Sequence, residues 1–194
     1  MRRVVMTAKT FGRLRHFGRD KRGASAIEFA LLAPLMIGLY IGCVEISEGI
    51  AAYRKVTLTA GALANLAAQV TTISPADKDN LFAAATAIMS PYTGTTSVKL
   101  SCLKIDGAGI AKVKWGVASA SVTPRADGDV VTIPVNLAIP DSWLLFSEIS
   151  YLYIPVTGFS PGFSHIAASG KELSDEMYMS PRITAPVYDG KACN

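Results

Sequence analysis

The sequence predicts an α+β fold: a long N-terminal transmembrane helix that continues into a domain with a small antiparallel sheet of about four strands. Three observations lead there. A basic N-terminal stretch is followed by an apolar run of membrane length. After that run, apolar residues recur at spacings of three and four, as on one face of a helix. From residue 98 onward the pattern turns to alternation, punctuated by turn signals.

The net charge of +4 over 194 residues hides an asymmetry. Residues 1–22 hold eight basic side chains (Arg2, Arg3, Lys9, Arg13, Arg15, Arg19, Lys21 and Arg22) against Asp20 alone. The rest of the chain has eleven basic and fourteen acidic residues. A basic stub on a mildly acidic body does not make a nucleic-acid binder, which needs its positive charge on the folded surface. Half of the residues are apolar and 18% are charged, which excludes a disordered tail.

The apolar run covers residues 24–44, interrupted by Glu28 alone. At about 1.5 Å per residue it spans roughly 31 Å, one hydrocarbon thickness. Basic residues on one side, with Glu45 and Glu48 on the other, predict a cytoplasmic N-terminus. The partition is then a leader at 1–23, a transmembrane helix at 24–44, an extracytoplasmic continuation at 45–73 and an α+β domain at 74–194. A buried core helix is the plainer alternative, but core helices seldom carry such a leader. A cleaved secretory signal is the stronger rival. The length of the basic region and the glutamate opening the run argue against it. Lipoprotein processing at Cys43 would want a leucine where Tyr40 stands. Glu28 is either an interfacial carboxylate eased by the helix dipole or a partner for another chain's positive charge. Pro34 removes a backbone hydrogen bond and predicts a kink. Gly38 and Gly42 form a small-xxx-small pair, either a helix-packing face or a chance occurrence in an apolar run.

Ile50, Tyr53, Val56, Ala60, Leu63, Ala67 and Val70 form the amphipathic stripe, which runs to about Thr72 before Pro75 stops it. Ser74 caps a second helix that carries Leu81, Phe82, Ala85, Ile88 and Met89 and closes before Pro91. Residues 98–105 and 110–122 read as strands joined by the turn signal Asp106-Gly107. Residues 130–139 read as a third strand with Pro134 at an edge or bulge, 142–148 as a short helix with Trp143 and Phe146, and 149–158 as a fourth strand. The Gly-, Ser- and Pro-rich remainder reads as irregular.

Cys102 and Cys193 can both lie outside the cytoplasm, where disulfides persist. A bridge would close a loop of 92 residues and contribute roughly 4.5 kcal/mol by loop entropy; the alternative is two unpaired thiols. No Cys/His spacing suits zinc, so no metal or cofactor is expected. Gly158-Phe-Ser-Pro-Gly162 matches the G-x-S-x-G string of hydrolases, but Pro161 lacks the backbone N–H that such an oxyanion hole needs. His165 follows without an intervening acid. No enzyme is expected.

Residues 21–29, Lys-Arg-Gly-Ala-Ser-Ala-Ile-Glu-Phe, resemble the prepilin-peptidase site of type IV pilin-like proteins. In the tight-adherence (Tad/Flp) subfamily that site reads Gly, four residues, then Glu-Phe or Glu-Tyr. Residues 22–34, RGASAIEFALLAP, look like the start of TadE-like pseudopilins; residues 151–156 and 173–182 are more loosely similar to the family's closing segments. The resemblance implies a pilin-like domain and cleavage between Gly23 and Ala24 by a separate prepilin peptidase. Glu28, beside Phe29, becomes the fifth residue of the mature chain and pairs with a neighbour's new α-amine. It further implies a minor pseudopilin in the assembly of an adhesive pilus. Its partners would be the prepilin peptidase, other pilins or pseudopilins, the assembly platform and membrane lipid. Its place would be the inner membrane with a periplasmic domain, or the pilus itself. The alternative is an uncleaved single-pass envelope protein, or a lipoprotein, with a binding domain.

Overall fold

The computed structural model describes residues 22–92, 94–155 and 170–193. The leader and the 158–162 string, with His165, lie outside the described residues. The α+β class holds. The order is helix α1 (Arg22–Ala67), strand β1 (Thr72–Ile73), helix α2 (Pro75–Met89), then strands β2 (Thr96–Ile105), β3 (Ala111–Ala118) and β4 (Val130–Val131). A 3-10 turn at Val135–Leu137, β5 (Trp143–Tyr153), β6 (Lys171–Met179) and β7 (Val187–Tyr188) complete it. The chain divides into two units, 1–44 and 45–194.

In the second unit, α1 buries Ala52, Val56, Ala60, Leu63 and Ala67. The spacing of 4, 4, 3 and 4 is one helical face, and three alanines on it let the sheet approach closely. The expected stripe is therefore shifted: Ile50, Tyr53 and Val70 are exposed. The helix also ends at Ala67, about five residues earlier than expected. Ala68 hands its carbonyl to the Arg182 amide at 3.0 Å, and β-branched Thr72 and Ile73 leave the helix to pair in parallel with Val187 and Tyr188.

Helix α2 starts as the sequence indicates. The Ser74 hydroxyl accepts from the Asp77 amide at 3.2 Å, while the Asp77 carboxylate accepts from the Ser74 amide at 3.0 Å. This reciprocal box satisfies two backbone donors that a helix start leaves open.

The main sheet has five antiparallel strands in the order β4-β3-β2-β5-β6, and β1 and β7 make a separate two-stranded pair. Among the described residues the main sheet thus fits the expected small antiparallel sheet, with one strand beyond about four. One face of the sheet meets α1 and α2 through Val98, Leu100 and Cys102, through Trp115 and Val117, and through Leu145 and Ile149. The other face carries Leu103, Ile105, Ala111, Val113, Leu144 and Phe146. A bulge in β3 at Lys114 makes this possible: Cys102 faces Trp115, yet Leu103 faces Val113. One extra residue switches Ala111 and Val113 to the face opposite Trp115 and Val117.

Three expectations fail here. Residues 142–148 are not a helix; they open β5, which runs unbroken to Tyr153. Leu144, Leu145 and Phe146 are buried at successive positions on both faces of β5, so Trp143–Phe146 forms a short apolar run that pattern alone does not distinguish from a helix. The strand expected at 130–139 shrinks to Val130–Val131, because Pro134 cannot donate to a ladder and the chain turns at 135–137. The C-terminal region is not irregular: Lys171–Met179 pairs with β5 along its whole length.

Candidate functional site

The residues singled out for processing sit on the first two turns of α1. Gly23 is the helix's second residue, and a Cβ built there would meet nothing within 4 Å. Glycine costs a helix about 1 kcal/mol relative to alanine, which favours local unwinding here. Ala24, Glu28 and Phe29 are all exposed, Phe29 to 71%. Ala24 and Glu28 stand one turn apart on the same face. The helix continues through Pro34, which has no amide to offer the carbonyl of Ala30. Gly38 and Gly42 fall on the Glu28 side by helical phase, and Cys43 is exposed.

From Ile27 to Tyr40 the large apolar side chains are more than half exposed all round the helix: Leu31, Leu32, Leu35, Met36, Ile37 and Leu39 among them. A helix that is apolar all round is one that is covered, by a protein core or by a membrane. Among the described residues one helix, Gly23–Ala67, is long and apolar enough to cross a membrane. That is compatible with a single-pass membrane protein.

The second unit places Cys102 and Cys193 in a disulfide, with Cα atoms 6.0 Å apart and both residues fully buried. It also contains features that pattern did not disclose. The Arg125 guanidinium donates from Nε and Nη2 to the two Glu148 carboxylate oxygens at 2.7 and 2.8 Å. This bidentate grip raises the Arg125 pKa. The same guanidinium lies 5.2 Å from the Phe146 ring centre, and Phe146 stacks on Tyr178 at 4.6 Å. Burial, and then the neighbouring Glu176, push the Tyr178 phenol up to about 12. The Ser147 hydroxyl donates to the Ala60 carbonyl at 2.7 Å, joining sheet to helix in the buried layer. These pairs are non-local, so neither spacing nor charge pattern signals them.

An open polar depression on the sheet is lined by Ser97, Lys99, Glu148, Ser150, Glu172 and Glu176. Glu148 is already held by Arg125 there. Among the described residues no group of three or more His, Cys, Asp or Glu side chains is arranged to hold a metal ion.

No curated protein and no solved structure matches the chain. Residues 23–64 match the family model for TadE-like protein. The match begins at the glycine of the expected cleavage site and reaches into the helical face that carries the sheet. Over residues 23–64 the chain is similar to TadE-like proteins.

Proposed function

We propose that the protein is a minor pseudopilin of a Tad/Flp-type adhesive pilus system, a structural subunit and not an enzyme. The TadE-like match of residues 23–64 supports a role related to the Tad pilus, and it is the observation that carries the reading. In this reading the N-terminus is cytoplasmic, residues 24–44 cross the inner membrane and the second unit is periplasmic. A prepilin peptidase cuts after Gly23 and removes every basic residue of the leader. Ala24 then opens the mature chain with a new α-amine one turn from Glu28.

A carboxylate in an apolar helix costs a few kcal/mol at bilayer depth. A neighbouring subunit's amine offsets that cost only when helices pack side by side. Glu28 thus makes association of this helix with other pilin helices more favourable than its dispersal in lipid. The side chains exposed around the helix supply the packing surface.

The test is Glu28→Ala against Glu28→Asp in the native host. Alanine is expected to abolish recovery of the protein with its pilin partners and to reduce piliation, while leaving it in the membrane fraction. Aspartate is expected to retain part of both. Full pilus assembly by Glu28→Ala would remove the role given to this carboxylate.

A further inference from the structure

The second unit begins at Glu45, directly after the uncharged run, and an unusual set of side chains gathers on its first turn. The Tyr153 phenol donates to the Glu45 carbonyl at 3.3 Å, and its ring lies 3.7 Å from where a Gly49 Cβ would stand. The Tyr92 phenol donates to Glu48 at 3.3 Å. Tyr151 packs edge-on against Tyr92, with centroids 6.1 Å apart. Burial is the first cause raising the pKa of both Tyr92 and Tyr153; Glu48 adds to it for Tyr92, and Glu45 and then Glu48 for Tyr153. The phenols therefore stay neutral donors across the physiological range.

Around these tyrosines, apolar side chains are left uncovered. Ile154 is 58% exposed, Ile46 65%, Ile50 50% and Tyr53 46%. Leu152 is 38% exposed and lies with Ile154 against Gly170. The helical stripe read from the sequence included Ile50 and Tyr53, yet the fold does not use them. Arg54 is exposed on the next turn.

We propose that this end of the second unit is a lipid-contacting seat, in which Tyr92 and Tyr153, with Ile46, Leu152 and Ile154, enter the headgroup layer of the bilayer. The inference rests on residues 24–44 spanning that bilayer. Residues 45–49 are the next ~7.5 Å of helix, and the interfacial layer is about 5–7 Å deep on each side. Side chains that touch residues 45–49 are thus held at the level of the headgroups. Tyrosine suits that layer because it has an apolar body and a hydrogen-bonding tip. Partial insertion also removes isoleucine and leucine surface from water, which the protein's own core leaves exposed.

The experiment uses the full chain with Cys43→Ser, reconstituted in phosphatidylethanolamine–phosphatidylglycerol vesicles. Nitroxide labels are placed singly at Ile154→Cys, Leu152→Cys, Met36→Cys and Val135→Cys, the last being an 88% exposed site on the 3-10 turn. Relaxation by oxygen is compared with relaxation by a water-soluble nickel chelate. Labels at 36, 152 and 154 are expected to favour oxygen, and the label at 135 to favour nickel. Nickel accessibility at both 152 and 154 equal to that at 135, with 36 still in lipid, overturns the seat alone. Nickel accessibility at 36 overturns the membrane span on which it rests. Spin–spin broadening at 154 that vanishes on dilution with unlabelled protein assigns the surface to a second copy and also overturns the proposal.

Discussion

Cys193 is bonded to Cys102, which fixes the C-terminal end of the chain to the middle of β2. The strap between Arg182 and Cys193 is held at further points. The Arg182 guanidinium donates to the Asn65 side chain at 2.7 Å, the Trp115 indole donates to the Pro186 carbonyl at 3.0 Å, and β7 pairs with β1. All these contacts close over the end of α1 and the core beneath it.

Removing the disulfide is therefore expected to loosen one face of the core. Cys102→Ala with Cys193→Ala should cost roughly 4–5 kcal/mol by loop entropy. The measurement is denaturant unfolding of the detergent-solubilised full chain, with the wild type under reducing conditions as a parallel. Trypsin should also cut at Lys191, which is exposed, faster in the variant. Unchanged unfolding would mean that the other strap contacts are sufficient.

The helix–sheet contact yields a graded pair. Ser147→Ala removes one buried hydrogen bond to Ala60 and should cost about 1 kcal/mol, because the Ala60 carbonyl is also available to its own helix. Leu63→Ala leaves a cavity in the same layer and should cost about 2–5 kcal/mol. The order of the two midpoints checks the account.

On the other face, Arg125 both holds Glu148 and covers Phe146. Arg125→Ala should cost roughly 2 kcal/mol, since it leaves a half-buried carboxylate without its charged partner. Arg125→Lys should recover part of that, because lysine cannot reproduce the two-pronged geometry. Equal loss in both variants would assign the effect to the bidentate geometry alone.

Tyr178 supplies a dependence on pH. Its phenol is raised from 10.0 to about 12 by burial, with Glu176 adding to it. A group whose folded value is raised contributes stability that is complete below the unfolded value. Stability should therefore fall as pH climbs from about 10 through 12. Tyr178→Phe should flatten that fall, measured by thermal unfolding against pH.

The helices were largely legible in the sequence and parts of the sheet were not, for identifiable reasons. Residues 24–44 are apolar on every side, and Ser74-Pro75 with Asp77 carries a local capping chemistry. Val98 to Ile105 alternates because Lys99 and Lys104 stay half-buried between buried apolar positions. β5 lies between β2 and β6, and its first four residues, Trp143–Phe146, are all apolar, so no period of two shows there. β6 hides Leu173, Met177 and Met179 among Glu172, Asp175 and Glu176, and only pairing with β5 makes a strand of them. The residues proposed for processing, Gly23, Ala24, Glu28 and Phe29, lie within one short string, so a reading of them needs no fold. The Arg125–Glu148 grip and the tyrosines around Glu45 come from distant positions and needed the fold. Ile50 and Tyr53 belong to the helical pattern but not to the core, a distinction that no periodicity can make.

The central claim is that this chain is a processed pseudopilin, and the most direct measurement is the N-terminal sequence and intact mass of the protein from its native membrane. The account predicts a mature chain starting at Ala24, replaced by the full-length form when the host's prepilin peptidase is deleted. A chain that retains its basic leader in the presence of the peptidase, or one that begins with a lipid-modified Cys43, would contradict it.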